Sequence, residues 1–109
     1  MKKQERQFLY ARQADIFKAV AHPLRIAVMD FLRNGEQCVC DITRFVGSEQ
    51  SNVSRHLSLM VAAGVLESRK QGLKVLYKIK TPCILNCFSC ITDVIRTQAE
   101  ENRQLLDAI

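Results

Sequence analysis

Apolar residues recur at near-helical spacing at the beginning of the chain, among charged and amide side chains. The positions that carry this pattern are Phe8, Leu9, Ile16 and Val20. An apolar stripe along an otherwise polar segment is typical of an amphipathic helix that packs along one side. The sequence therefore predicts a first helix over Glu5–Val20.

Proline and glycine residues divide the next part of the chain into three short helices. His22-Pro23 ends the first helix, because proline is tolerated in a first helical turn and not in a helix interior. Gly35, Gly47 and Gly64 follow the next three apolar runs and mark their ends, and Ser48 is placed to cap the last of these helices. The predicted helices are Leu24–Leu32, Val39–Val46 and Glu49–Ala63.

The period of the pattern changes after Gly64. Two β-rich runs, Val65–Ser68 and Val75–Ile79, flank the dipeptide Gln71-Gly72 and predict a β-hairpin. Thr81-Pro82 then supplies a capping residue and a first-turn proline for a last helix of roughly 25 residues. The predicted order is α-α-α-α-β-β-α in a single domain over residues 1–109. This order describes a mostly α winged helix-turn-helix; the alternative is an all-helical bundle, against which the Gln71-Gly72 turn argues.

Composition and charge limit the classes of function. The chain has 109 residues, of which 48% are hydrophobic and 25% charged, enough for one compact domain. No apolar run approaches ~20 residues and no secretion signal is recognisable, so we expect a cytoplasmic protein with no membrane partner. The net charge of +5 is uneven: residues 65–80 hold five basic side chains and one acidic one, whereas acidic residues predominate after residue 92. A polyanion would be attracted to the middle of the chain.

The predicted fourth helix carries side chains that can read DNA. Its apolar face would hold Val53, Leu57, Met60 and Val61. Its outer face and N-terminal half would hold Gln50, Ser51, Asn52, Ser54, Arg55 and His56. Arginine pairs with guanine and amide side chains pair with adenine, and recognition helices use their N-terminal residues in the major groove. Solvation of a surface helix would explain the same residues, but the preceding short helix and the basic hairpin favour DNA binding.

The predicted hairpin would act as the wing. Arg69, Lys70 and Lys74 lie at or beside its tip, where they can contact phosphate groups or a minor groove. Protection of an edge strand against aggregation would use the same basic residues. Both roles are compatible.

Five cysteines form two clusters, Cys38/Cys40 and Cys83/Cys87/Cys90. In a reduced compartment such clusters indicate metal binding or redox chemistry more often than disulfides. Cys38 and Cys40 would lie in a first helical turn, where the helix dipole favours thiolates. Cys83, Cys87 and Cys90 would return to within ~40° of one helical face. Burial as small apolar residues is the alternative, but all-thiolate sites select soft ions: As(III), Sb(III), Cd(II), Pb(II), Hg(II), Zn(II) or Cu(I).

The chain strongly resembles the ArsR/SmtB family of winged-helix metalloregulatory repressors over nearly its whole length. The segments that carry the resemblance are Ala21–Arg25, Cys38–Ile42, Ser51–Leu57 and Ala63–Leu66. The resemblance implies a homodimer, paired through its first and last helices, that binds double-stranded operator DNA and is released by an inducer. It also implies that Cys38 and Cys40 are ligands, as in the arsenite and cadmium/lead sensors.

The sequence departs from each known metal pattern of this family. Thr43 stands where the arsenite pattern has a third cysteine, and residues 1–37 lack the cysteines that the cadmium/lead pattern uses. The zinc pattern needs pairs of aspartate and histidine in the last helix, whereas this helix has Asp93 and no histidine. We therefore expect Cys83, Cys87 or Cys90 to complete the site, within a protomer or across the dimer, or to form a second one.

These observations predict a DNA-binding repressor that is released from its operator by a thiophilic metal or metalloid bound through cysteine thiolates. The alternative is a repressor of the same fold with a thiol-redox or persulfide input. An enzyme with Cys38 or Cys40 as nucleophile would need a positioned base. His22, before a proline at a helix start, is expected to cap or pack, and His56 is expected to contact DNA, so no enzyme is expected. A structural zinc domain is a further alternative, which chelation of the metal would unfold. No organic cofactor is expected.

Overall fold

Five α-helices and one small sheet make up the computed structural model, which describes all residues from 1 to 109. The helices are α1 (Lys3–Val20), α2 (Pro23–Phe31), α3 (Val39–Val46), α4 (Gln50–Ala62) and α5 (Leu85–Asp107). The strands are β1 (Gln37–Cys38), β2 (Leu66–Gln71) and β3 (Lys74–Ile79), and 3-10 turns occupy Leu32–Asn34 and Pro82–Ile84. The predicted winged helix-turn-helix, with its order of helices and hairpin, is confirmed.

The sheet contains one strand that the sequence did not predict. The strand order is β1-β3-β2, and both pairings are antiparallel. Gln37 pairs with Tyr77 and Cys38 pairs with Leu76, so β1 joins the hairpin directly to the beginning of α3. A strand of two residues is too short to show an alternation of apolar and polar positions, and no sequence pattern therefore indicates it.

The hairpin turns one residue later than predicted. Gln71 is the last residue of β2 and pairs with Lys74, so the turn consists of Gly72 and Leu73. Gly72 has φ +62°, in the left-handed region that glycine adopts without the steric cost of a Cβ atom. Gly72 was therefore the residue that located the turn, and its position as first turn residue fixes the pairing register of β2 and β3.

Two predicted helix starts also differ from the structure. The N-cap of α4 is Glu49, without a side-chain cap, because the Ser48 hydroxyl instead accepts a hydrogen bond from Asn52 Nδ2 at 3.0 Å. Pro82 opens a 3-10 turn, and α5 begins only at Leu85. Cys83 therefore lies ahead of α5, outside the helical stripe that was predicted to carry it.

The core lies between α2, α3, α4 and the hairpin, with contributions from the end of α1 and the start of α5. Its largest fully buried side chains are Val28, Met29, Ile42, Val53, Leu57, Met60 and Leu66. The predicted apolar face of α4 is confirmed at three positions, while Val61 is only half-buried. None of the helices is long and apolar enough to span a bilayer.

Candidate nucleic-acid interface and thiol positions

Helix α4 presents polar side chains at its N-terminal end because its apolar face is fixed in the core. Val53 and Leu57 are fully buried, whereas Gln50, Ser51 and Arg55 are exposed. Ser54 and Asn52 are half-buried beside them. The helix thus offers side chains of guanine- and adenine-pairing type on its outer surface, held by packing on the opposite side.

Asn52 organises this surface. Its Nδ2 donates to Ser48 Oγ at 3.0 Å, and its Oδ1 accepts a hydrogen bond from Arg55 Nη2 at 2.8 Å. The amide therefore connects the turn before α4 to the exposed guanidinium one helical turn further on. Arg55 is oriented by this contact before it meets any partner, which reduces the entropy lost on binding.

His56 does not lie on the outer face, and this part of the sequence prediction is wrong. Its side chain is only 5% exposed, and Nδ1 accepts a hydrogen bond from Arg25 Nε at 3.0 Å. Burial is the main reason that the pKa of His56 is lowered, and the positive charge of Arg25 and contributions from His22 and Arg55 add to it. The residue after Arg55 turns toward α2 because successive helical residues point about 100° apart.

The wing carries two kinds of basic side chain. Arg69 donates to both carboxylate oxygens of Glu36, at 2.7 and 2.9 Å, so its charge is partly neutralised. The hydrogen bond from Arg69 lowers the pKa of Glu36 and raises the pKa of Arg69. Lys70 and Lys74 are exposed beside the turn and have no acidic partner. These two lysines form the unpaired positive end of the wing.

Cys38 and Cys40 have different environments. Cys38 is buried at the end of β1 and caps α3, with Sγ accepting the backbone N–H of Asp41 at 3.4 Å. Cys40 is exposed in the first turn of the same helix. The first sulfur is therefore part of the helix start, and the second faces solvent.

The remaining thiols are exposed around the start of α5. Cys83 lies in the 3-10 turn, Cys87 borders an apolar cavity of about 270 Å³ between α1, α2 and α5, and Cys90 lies near Asp93 in a shallow groove. No three histidine, cysteine or acidic side chains come close enough in one protomer to hold a metal ion. The five thiols do not form one site within a single chain.

Two residues of this region were not identified from the sequence. Arg25 reaches His56 across 31 positions and Glu36 reaches Arg69 across 33, so neither pairing leaves a local pattern. Arg25 lies in the Ala21–Arg25 segment that carries the family resemblance, and this was the one signal that the sequence offered for it. Contacts between distant elements of this kind follow from the fold and not from spacing.

A recognition-type helix preceded by a short helix and followed by a basic hairpin defines the class of winged helix-turn-helix DNA-binding proteins. A family profile described as "Bacterial regulatory protein, arsR family" matches residues 22–68. The "Uncharacterized HTH-type transcriptional regulator Rv0081" of Mycobacterium tuberculosis is 33% identical over 92 residues, covering 84% of this chain and 81% of that protein. The chain belongs to the ArsR family of bacterial transcriptional regulators.

Two further relatives carry names of resistance regulators. The "Probable mercury resistance operon repressor" of Streptomyces lividans is 30% identical over 94 residues, covering 86% of this chain and 72% of the relative. The "Arsenical resistance operon repressor" of Escherichia coli is 38% identical over 65 residues, covering 59% of this chain and 56% of the relative.

Solved structures share the fold. The crystal structure of Rv0081 from M. tuberculosis matches with a TM-score of 0.75 and 30% identity, over 86% of this chain and 95% of that one. The solution structure of the homodimeric winged helix-turn-helix domain of Mb0332 from Mycobacterium bovis matches with a TM-score of 0.76 and 24% identity, over 93% of each chain.

Proposed function

We propose that the protein is a homodimeric repressor that binds operator DNA and is released by a thiophilic metal or metalloid bound through cysteine thiolates. The observation that carries the DNA-binding part is the exposed N-terminal half of α4 beside the unpaired lysines of the wing. Gln50, Ser51 and Arg55 would meet base edges in the major groove, with Asn52 and Ser54 supporting them. Lys70 and Lys74 would contact phosphate groups, and Arg69 would join them if it exchanged Glu36 for phosphate.

The dimer is supported by the apolar residues that a single protomer leaves exposed on its two longest helices. Those on α1 are Phe8, Leu9, Tyr10 and Phe17, and those on α5 are Ile91, Val94, Ile95, Leu105 and Leu106. Large apolar side chains exposed together on neighbouring turns of a helix are typical of an interaction surface. Pairing of α1 and α5 between two copies would cover it, and the Mb0332 domain of the same fold is homodimeric.

The sensor part rests on the Cys38/Cys40 pair at the beginning of α3. Two thiols at a helix N-terminus suit the first two ligands of a soft ion, because the helix dipole favours their thiolate forms. They do not make a complete site, since no third ligand is near them in one protomer. A thiol of the Cys83/Cys87/Cys90 group from the partner copy would complete it. A soft cation bound there would supply strong bonds to sulfur.

The coupling to DNA follows from the role of Cys38 as a helix cap. Its Sγ accepts the Asp41 N–H, so an ion bound to that buried sulfur would pull directly on the first turn of α3. Helix α3 packs against α4 and, through Cys38, against the wing strand β3. A shift of the α3 start would therefore displace both DNA-contacting elements together.

DNA recognition is tested with a labelled duplex that the wild-type protein selects from a randomised pool. Arg55→Gln should weaken binding at least about fivefold in a fluorescence anisotropy titration, because it removes one bidentate base contact from each protomer. Arg33→Gln removes the same charge from the exposed turn after α2 and should change affinity by less than about twofold. Equal effects of the two substitutions would contradict base reading by α4.

The sensor is tested by mobility shift with As(III), Sb(III), Cd(II), Pb(II) and Zn(II) added separately. Wild-type protein should leave the duplex, whereas the Cys38→Ser/Cys40→Ser variant should stay bound. Serine is a good N-cap, so this variant keeps the start of α3 while losing both soft ligands. The Cys83→Ser/Cys87→Ser/Cys90→Ser variant should also stay bound, because it removes the group that would complete the site. Release of this variant by the ions would place the remaining ligand elsewhere. Release by persulfide and by none of the ions would favour the redox alternative instead.

A further inference from the structure

We infer that Arg25 and His56 are positioning residues for DNA recognition: the hydrogen bond between them holds α4 against α2, and protonation of His56 breaks this bond and weakens operator binding. The inference rests on the proposed DNA-reading role of α4. It adds a loss of DNA affinity at acidic pH. This effect involves no cysteine, so it can be measured separately from release by a thiol-bound ion.

One guanidinium group connects three helices. Arg25, half-buried on α2, donates from Nε to His56 Nδ1 on α4 at 3.0 Å, and from Nη1 to the carbonyl oxygen of Ala19 near the end of α1 at 3.1 Å. The His56 ring also packs on His22, with ring centroids 4.7 Å apart and planes inclined by 49°. His22 in turn caps α2, since its Nδ1 accepts the Leu24 N–H at 3.1 Å.

The contact depends on the neutral form of His56. An arginine Nε–H can only donate, so Nδ1 must present a lone pair and the imidazole proton must be on Nε2. Protonation would place a second N–H donor opposite Arg25 Nε and a new positive charge beside a guanidinium. The hydrogen bond would become a repulsion inside the core.

The surroundings offer no compensation for this charge. The ionisable groups that face His56 are Arg25 on α2, His22 at the α1–α2 junction and Arg55 on α4 itself, and none of them is acidic. A protonated His56 that is 5% exposed must therefore leave its position or displace Arg25. Either movement changes how α4 sits on α1 and α2, and Arg55, the adjacent residue, moves with it.

The direction of the pH effect distinguishes protonation of the buried His56 from protonation of an exposed histidine near DNA. Protonation of an exposed histidine near DNA adds a positive charge and strengthens binding to a polyanion. Protonation of His56 should weaken binding, because the bound conformation needs the neutral ring. With two histidines in the chain, the two effects can be assigned individually.

The experiment is an anisotropy titration of the selected duplex between about pH 8 and about pH 5, where histidine charge changes. For wild-type protein, affinity should fall with acidification, approaching about tenfold per pH unit for each protomer below the His56 pKa. His56→Asn keeps an acceptor atom near the Nδ1 position without a proton to gain, so its affinity should not fall. His22→Asn keeps the α2 cap and should retain the wild-type decline.

A second measurement needs no variant. NMR titration of the two histidine rings in the wild-type dimer should show that DNA release follows the His56 midpoint and not that of His22. Affinity that is constant or rises on acidification, while circular dichroism shows a folded protein, would overturn the inference and leave the proposed function intact. Absence of DNA binding at every pH would overturn both.

Discussion

Thr43 has a buried hydroxyl oxygen with no hydrogen-bond partner. The side chain lies on α3, at the position where the arsenite sensors that this chain resembles carry a third cysteine. An unsatisfied buried hydroxyl costs about 1–3 kcal/mol. Thr43 therefore supplies no third thiol, and its unpaired hydroxyl is expected to cost stability.

Replacement of Thr43 by valine should stabilise the protein, because it exchanges the unsatisfied oxygen for a methyl group of similar size. We expect the free energy of unfolding in urea to rise by about 1 kcal/mol at equal protein concentration. Thr92→Val on α5 is the matched control, since Thr92 Oγ1 already donates to the Phe88 carbonyl at 3.1 Å. Destabilisation by Thr43→Val would show that the hydroxyl is satisfied in solution.

The positions and partners of individual side chains were the hardest features to predict from the sequence. The exposed polar surface of α4 was evident from Gln50, Ser51 and Arg55, which are exposed as predicted. His56 was misplaced because polarity suggested exposure, whereas its partner Arg25 makes burial possible. Polar residues buried by pairing across the fold cannot be recognised from their neighbours in the chain.

The ends of helices and strands were predicted correctly where a single residue imposes a backbone geometry. Helix α3 ends at Val46 as predicted, because Gly47 takes the left-handed conformation at φ +69°. The start of α5 was misjudged because Thr81-Pro82 is equally compatible with a 3-10 turn. Strand β1 was missed because it exists only through pairing with β3.

The wing is the element whose charge makes a separate prediction. Lys70 and Lys74 have no acidic partners, so both can neutralise phosphate charge and release counterions. Replacing both by alanine should reduce the slope of log affinity against log salt by about 0.9 for each phosphate group that is no longer neutralised, with sequence preference retained. Lys18→Ala on α1 serves as the control of equal charge type. An unchanged slope in the double variant would place the wing away from DNA.

A single protomer is more extended than a compact chain of its length. Its radius of gyration is 17.5 Å and its extents are 60 × 44 × 22 Å, whereas a compact chain of this length has a radius of about 13 Å. Only 15 of the 109 residues are buried. Most of α1 and α5 projects from the core with apolar side chains uncovered, and this is the surface that the proposed dimer would bury.

A charge placed in this surface should separate the two copies. Ile95→Glu on α5 should shift the protein toward monomers in analytical ultracentrifugation, and operator affinity should fall because one protomer holds only one half-site. Leu73→Glu, at the exposed tip of the wing, introduces the same side chain and should leave the dimer intact. A dimer that persists in Ile95→Glu would place the interface elsewhere.

Methylation-interference footprinting of the selected duplex tests whether a symmetric pair of α4 helices reads operator DNA. Interference is expected at guanines in two major-groove half-sites about 34–36 Å apart, related by a pseudo-palindrome, and it should disappear selectively in Arg55→Gln. A single asymmetric site, or an interference pattern that Arg55→Gln leaves unchanged, would contradict this claim.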